Sequence, residues 1–385
     1  MIAYRLGDNA GMDLNQALPL LGGLSAAQFM RRHWQKRPLL VRQALPGVTA
    51  PLPRVELFAL AARDDVESRL VVQRDKAWTL RHGPLSRRAL PPLTQSGWTL
   101  LVQGLDLHLD AAHELLSRFR FVPAARLDDL MLSYATDGGG VGPHLDSYDV
   151  FLLQVHGRRR WRIGRARDTS WVDDVPLKIL RRFEPEHDWV LEPGDMLYLP
   201  PAWAHDGVAV GECMTASVGF RSPKPSELAG ELLARLAEDI DTDADERLYR
   251  DPGQPATATP AALPPALHDF AAGALQAALR EPQALARVLG EWLSEPKPQV
   301  WFEAATVPVG LKGGVRLDRR TRMLYDARHL FINGEAFDIG GRDARLLRRL
   351  ADQRHLSGAE VAMLSADARG AVADWAGAGW LKEIP

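Results

Sequence analysis

The chain has 385 residues, more than one typical domain, and is 46% hydrophobic and 25% charged, which places it with soluble globular proteins and excludes the disordered class. A formal net charge of −2 gives the chain as a whole no electrostatic claim on nucleic acid or an anionic membrane, and no apolar stretch approaches a membrane span. Cys213 is the only cysteine, so an intrachain disulfide and a cysteine-rich zinc site are both excluded, and a reducing, cytoplasmic setting is expected.

Met1 to Asp13 carries acids and glycines where an export signal needs a basic start and an apolar run, so none is read there. Ser25 with Gln28 forms a capping-box pattern that opens a helix through about Gln35, and Pro38 stops it. Ser68 to Gln73, Ala77 to Arg81 and Trp98 to Gln103 are expected as strands, and Asp110 to Phe119 as a helix. From Leu130 to Phe220 the strand signals become dense: Leu130 to Ala135, Val150 to Val155, Arg160 to Ile163, Trp189 to Leu191, Met196 to Leu199, Gly207 to Val210 and Met214 to Phe220. Many short strands at close spacing predict a sandwich or barrel.

After Pro225 the period changes. Leu228, Leu232, Leu233, Leu236 and Ile240 fall on one helical face. Asp251 to Pro265 has linker composition, and two further apolar stripes follow, Leu267 to Leu279 and Leu285 to Leu293. These stripes exceed what a small helical module can hide by itself. Asn333-Gly334 between two apolar runs marks a hairpin, with helices expected over Arg342 to Gln353, Ser357 to Leu364 and Ala366 to Ala376, a winged-helix-like set.

The chemistry concentrates in the barrel region. A His-x-carboxylate triplet occurs twice, and chance alone predicts roughly one in a chain this rich in acids. His108-Leu109-Asp110 leads into a helix, so Asp110 is expected as its N-cap. His144-Leu145-Asp146 instead follows a glycine-rich loop and precedes a strand, where an extended backbone would turn both side chains to one face. His205 follows a Pro-Gly turn, a strand and a Pro-Pro break, a context that can return the chain across a barrel. Two imidazoles and a carboxylate occupy one face of an octahedral ion and leave the other open, the donor set of non-haem Fe(II) oxygenases; zinc is the plainer metal for the same donors. His156 and His187 are read as surface residues and Cys213 as core.

Within Gly157-Arg158-Arg159-Arg160-Trp161-Arg162-Ile163, alternation puts Arg158, Arg160 and Arg162 on one face and Arg159, Trp161 and Ile163 on the other. An arginine among apolar neighbours needs an anionic partner, and a cosubstrate carboxylate suits its planar fork.

The run from Gly138 through Asp146, with Tyr148-Asp149-Val150-Phe151, Gly157 to Trp161, Glu192 to Pro201 and His33 to Leu40, closely resembles the bacterial ribosomal oxygenases, which are Jumonji-C-type hydroxylases. The resemblance implies a mixed α and β architecture. Residues 1–222 would be a double-stranded β-helix (cupin) oxygenase domain with amino-terminal helices, 223–298 a helical dimerisation module and 299–385 a winged-helix-like domain. It implies Fe(II), 2-oxoglutarate and dioxygen at the site, with Arg159 on the distal carboxylate and Ser133 assisting. The implied substrate is an arginine of large-subunit ribosomal protein sixteen, and the implied assembly a homodimer. An incoming arginine needs a carboxylate and an aromatic face, for which Asp149, Tyr148 and Asp137 are the candidates.

Three rival functions remain open: a cupin oxygenase of a small molecule, a histidyl hydroxylase of another ribosomal protein, and an inactive-barrel assembly factor that binds nucleic acid. The last draws on Arg342, Arg345, Arg348, Arg349 and Arg354, but no stacking aromatics are interleaved, so direct nucleic-acid binding is not expected.

Overall fold

A computed structural model describes residues 13–74, 77–238, 248–256, 259, 261–279, 282–306 and 310–384. The chain divides into two compact units, one running to Ser222 with Lys297–Glu303 and Asp318–Arg320 added, the other holding Pro223–Pro296, Ala304–Leu317 and the chain from Thr321.

In the first unit, Ser25 caps α1 (Ala26–Arg32) through reciprocal bonds with Gln28. The helix ends before the expected Gln35, which takes a left-handed φ of 55°. Then come β1 (Leu39–Val41), α2 (Arg54–Leu60), β2 (Ser68–Arg74), β3 (Ala77–His82), β4 (Trp98–Val102), α3 (Leu105–His108), α4 (Asp110–Ser117) and β5 (Leu127–Ala135). The unit continues with β6 (Asp149–Arg165), β7 (His187–Leu191), β8 (Met196–Leu199) and β9 (Trp203–Phe220). These strands join in the order β1-β8-β6-β9-β5-β4-β2-β3, with β7 paired to β6. The result is the double-stranded β-helix of the cupin class.

The sequence pattern reads β6 and β9 as two short strands each; the structure makes each one long strand, paired antiparallel from Asp149↔Phe220 to Arg165↔Trp203. The register shifts on either side of His156, where Gly157 takes φ 60°. That bulge changes the phase of β6. Ahead of it, Phe151, Leu153 and Val155 pack with Phe29, Tyr198 and Phe220 in the core beside α1, while Val150 and Leu152 face the barrel interior. Beyond it, Trp161 and Ile163 join Val150 and Leu152 in the same interior cluster. Even-numbered residues point inward before Gly157 and odd-numbered ones after it.

The second unit contains α5 (Pro225–Glu238), α6 (Pro265–Leu279), α7 (Pro282–Ser294), β10 (Gly314–Leu317), β11 (Met323–Tyr325), β12 (His329–Ile332) and β13 (Glu335–Asp338). It ends with α8 (Gly341–Gln353), β14 (His355–Ser357), α9 (Gly358–Ala362), α10 (Ala366–Gly377) and β15 (Leu381–Glu383). Asn333 and Gly334, both at positive φ, turn the hairpin between β12 and β13, and Ser357 with Glu360 caps α9. Leu330, Ile332, Leu350, Val361 and Trp375 share its core. Ile240, expected on the first apolar stripe, lies outside the described residues. The arginine run is largely engaged: Arg349 pairs with Glu360 at 2.8 Å, and Arg348 and Arg354 donate to backbone carbonyls. Among the described residues no helix is long and apolar enough to cross a membrane.

Candidate metal centre

His144 and His205 are held opposite one another in an antiparallel bridge, each amide donating to the other's carbonyl at 3.0 Å. Each imidazole is then fixed from behind. His144 Nδ1 lies 2.9 Å from the Gly142 carbonyl and His205 Nδ1 lies 3.0 Å from that of Trp203. With Nδ1–H committed to a carbonyl, each ring presents its Nε2 lone pair forward. The turn at Gly142 disfavours any side chain: its φ is 77°, and a Cβ would sit 3.0 Å from the Trp78 ring.

Asp146 closes the set, with Oδ2 3.4 Å from His205 Nε2 and Oδ1 3.9 Å from His144 Nε2. One donor atom from each residue lies within 4.8 Å of the others, and among the described residues no other group of His, Cys, Asp and Glu meets that description. Burial, then the neighbouring His205, lowers the His144 imidazole to about 4. Burial alone would raise the Asp146 carboxyl, but the bond and charge of His205, with His144, hold it at about 2. Burial works against charge on His205 as well, and Asp146 more than offsets it, so that ring is raised. A carboxylate ionised at neutral pH beside converging imidazole nitrogens fits a divalent cation in the facial arrangement.

Deeper in the barrel lies Arg159, 5% exposed. Its Nη1 donates to Ser133 Oγ at 3.2 Å, while Nε and Nη2 are buried without a partner among the described residues. Such a cation is costly unless an anion completes it. A carboxylate fits, because the unfilled donors are two nitrogens of one planar fork. Arg160 and Arg162, on the opposite face, pair with Asp188 and Asp206.

The other sequence-derived candidates fall elsewhere. Tyr148 is 39% exposed as a whole, but its hydroxyl end is buried, and that burial, then the charge and hydrogen bond of Asp146, raises the phenol. Asp149, expected to face an incoming arginine, is fully buried and takes hydrogen bonds from Tyr198 Oη at 2.6 Å, Gln35 Nε2 at 3.1 Å and Arg126 at 3.2 Å. That expectation is corrected: its carboxylate ties β6 to β8 and to the chain after α1. Asp137 is exposed but accepts the Gly211 amide at 2.8 Å, well beyond His205 along β9, so it is a turn-holding residue and does not face the triad. Asp110 is not the N-cap of α4, a place taken by Leu109; it is the first helical residue and accepts from Arg319 at 2.7 Å. His156 and His187 are exposed and Cys213 is buried, all as expected.

Sequence reading missed the residues that aim the ligands. The carbonyls of Gly142 and Trp203 carry no side-chain signature; the only hint is that each lies two residues before its histidine.

A barrel that gathers this triad at one place and a buried arginine behind it defines the cupin-fold oxygenases. The JmjC domain family matches residues 114–228 and the ROXA-like winged helix family residues 274–382. Ribosomal protein uL16 3-hydroxylase of Escherichia coli K12 is 34% identical over 331 residues, covering 83% of this chain and 87% of that protein. A probable ribosomal oxygenase of Haemophilus influenzae is 40% identical over 205 residues, 52% of this chain and 50% of that protein. The structure of the E. coli ribosomal oxygenase YcfD with cobalt and 2-oxoglutarate matches with a TM-score of 0.79 at 32% identity, covering 92% of this chain and 97% of that one. The chain belongs to the JmjC-domain ribosomal oxygenases.

Proposed function

We propose that this protein is an Fe(II)- and 2-oxoglutarate-dependent hydroxylase of an arginine side chain in large-subunit ribosomal protein sixteen. The observation that carries the cosubstrate is the buried, half-unpartnered guanidinium of Arg159 behind the His144, Asp146 and His205 triad. The substrate reading is supported by the relative named for uL16, which this chain matches over most of its length. Iron with 2-oxoglutarate and dioxygen supplies oxidative hydroxylation, with succinate and carbon dioxide as coproducts. The protein's part is placement. His144, Asp146 and His205 would hold the ion, and Arg159, oriented by Ser133, would take the distal carboxylate. The apolar interior around Trp161 and Ile163 excludes water, and the exposed face of Tyr148 beside Asp146 offers a stem contact to the substrate side chain.

A histidyl hydroxylase is the second reading, favoured by the name of a Drosophila persimilis relative, a bifunctional lysine-specific demethylase and histidyl-hydroxylase that is 26% identical over 201 residues, 29% of its own length. Incubating the full chain with iron, 2-oxoglutarate and a peptide of ribosomal protein sixteen tests both. Gain of one oxygen on the arginine peptide, none on its Arg→Lys version and none on a histidine-bearing ribosomal peptide is expected. His144→Ala should lower turnover at least about a hundredfold, and His108→Ala should leave it intact. Oxidation of the histidine peptide instead would overturn the arginine assignment, and full activity of His144→Ala would overturn the site.

The same reading assigns residues 1–222 to catalysis, 223–298 to self-association as a homodimer and 299–385 to the winged-helix appendage, with the enzyme working in the cytoplasm on ribosomal protein. Supporting the homodimer, Leu233, Phe270, Leu275 and Leu279 are 45–65% exposed on α5 and α6.

A further inference from the structure

Trp161 stands between the two parts of the site. It is 5% exposed, its ring centroid lies 5.9 Å from that of His205, and the Arg159 guanidinium carbon lies 5.7 Å from the ring. The ring is seated on its register partner Gly207, where a Cβ would come within 2.6 Å of Cη2 and Cζ3 and 2.9 Å of Cε3. The benzo edge therefore rests against β9, and the pyrrole edge with Nε1 is turned away from it. Nε1 is buried and has no partner among the described residues, as is true of Arg159 Nε and Nη2. A buried indole N–H without an acceptor is costly, and three such donors on alternate residues of one strand face call for one acceptor-rich group.

Ser133 does not fill that role. Its hydroxyl donates to the Thr215 carbonyl at 3.2 Å and accepts from Arg159, so its one proton is spent. Arg159 has unfilled N–H directions along its fork, and a carboxylate, with about four lone-pair sites on its two oxygens, can accept from Arg159 and still have lone pairs left over.

We propose that the Trp161 indole N–H is the second donor to the distal carboxylate of 2-oxoglutarate, with Ser133 acting as a positioning residue that holds Arg159. The inference rests on the reading of Arg159 as the carboxylate grip. Guanidinium and indole are donor-only, so together they select an acceptor-only group.

The test uses the full chain loaded with Zn(II) and labelled with nitrogen-15 in its eleven tryptophans. One indole N–H signal should move downfield on addition of 2-oxoglutarate and also of succinate, which keeps the distal carboxylate arm, and should stay in place with pyruvate, which lacks it. Trp161→Phe should delete that signal and weaken 2-oxoglutarate binding by calorimetry about tenfold, a hydrogen bond to a charged group, with Zn(II) affinity unchanged. No indole response to succinate, a response to pyruvate, or wild-type affinity in a folded Trp161→Phe overturns the proposal. Should that variant not fold, the wild-type spectra decide alone. Arg159→Met separates the two layers: if it binds 2-oxoglutarate normally, the carboxylate reading of the site fails, whereas if it loses binding while Trp161→Phe does not, only the role of Trp161 fails.

Discussion

Arg159 and Arg160 are neighbours of identical chemistry that the strand sends to opposite environments. Arg159 is 5% exposed with two unfilled nitrogens, whereas Arg160 reaches Asp188 at 2.8 Å on the solvent side, where its side chain is 54% exposed. A buried charged hydrogen bond is worth about 1.5 to 3 kcal/mol, while an exposed ion pair contributes little. Arg159→Ala is therefore expected to raise the half-saturating 2-oxoglutarate concentration roughly ten- to a hundredfold, and Arg160→Ala by no more than about twofold. Equal effects in steady-state assays would remove the distinction. At this scale the sequence is informative where placement depends on spacing, as for the convergence of His144 and Asp146 and the burial of Arg159. It was silent where the role depends on a distant partner: Asp149 sits three residues past Asp146, yet its environment is set by Gln35, Arg126 and Tyr198, which no local pattern connects to it.

The element that decides which arginine faces inward is the bulge in β6. Without it, the phase set by Val150 and Leu152 would carry Arg158, Arg160 and Arg162 into the barrel; the shift around His156 brings in Arg159, Trp161 and Ile163 instead. Gly157 makes this possible at φ 60°, where a Cβ would overlap the Glu212 carbonyl. Gly211, on the partner strand at φ 76°, would meet nothing within 4 Å. Both positions disfavour side chains, but only Gly157 adds a backbone collision. Gly157→Ala is expected to cost roughly 2 to 3 kcal/mol and Gly211→Ala about 1 kcal/mol, read as separate shifts in denaturant midpoint. Of the two, only Gly157→Ala should also weaken 2-oxoglutarate binding. Equal destabilisation would mean that the bulge does not depend on this glycine. The composition of β6 made its two halves visible as strands, but Gly157 reads as a turn in sequence because a bulge and a turn ask for the same residue. The short α2 and α3 leave no clear mark in the sequence, since seven and four residues give too little periodicity to stand out.

For the molecule as a whole, the barrel can bury its apolar faces against α1 and its own interior, and the winged part has its own core. The intervening helices are different. On α6, Leu267, Phe270, Leu275 and Leu279 are 37–65% exposed, a cluster of large apolar side chains on one helix that water tolerates poorly. A second copy of the chain is the proposed cover, since like stripes are self-complementary across a two-fold axis. Leu275 and Leu279 are the informative positions: at 65% and 52% exposure they can be made polar without emptying a core. Each buried leucine lost from an interface removes about 1.5 to 3 kcal/mol, and a two-fold axis counts every substitution twice. Leu275→Ser with Leu279→Ser should therefore weaken self-association at least a hundredfold or so in sedimentation equilibrium, while circular dichroism keeps its helical signal. A wild-type chain that sediments as a monomer at micromolar concentration would refute the homodimer, and a double variant that still dimerises like the wild type would place its interface away from α6.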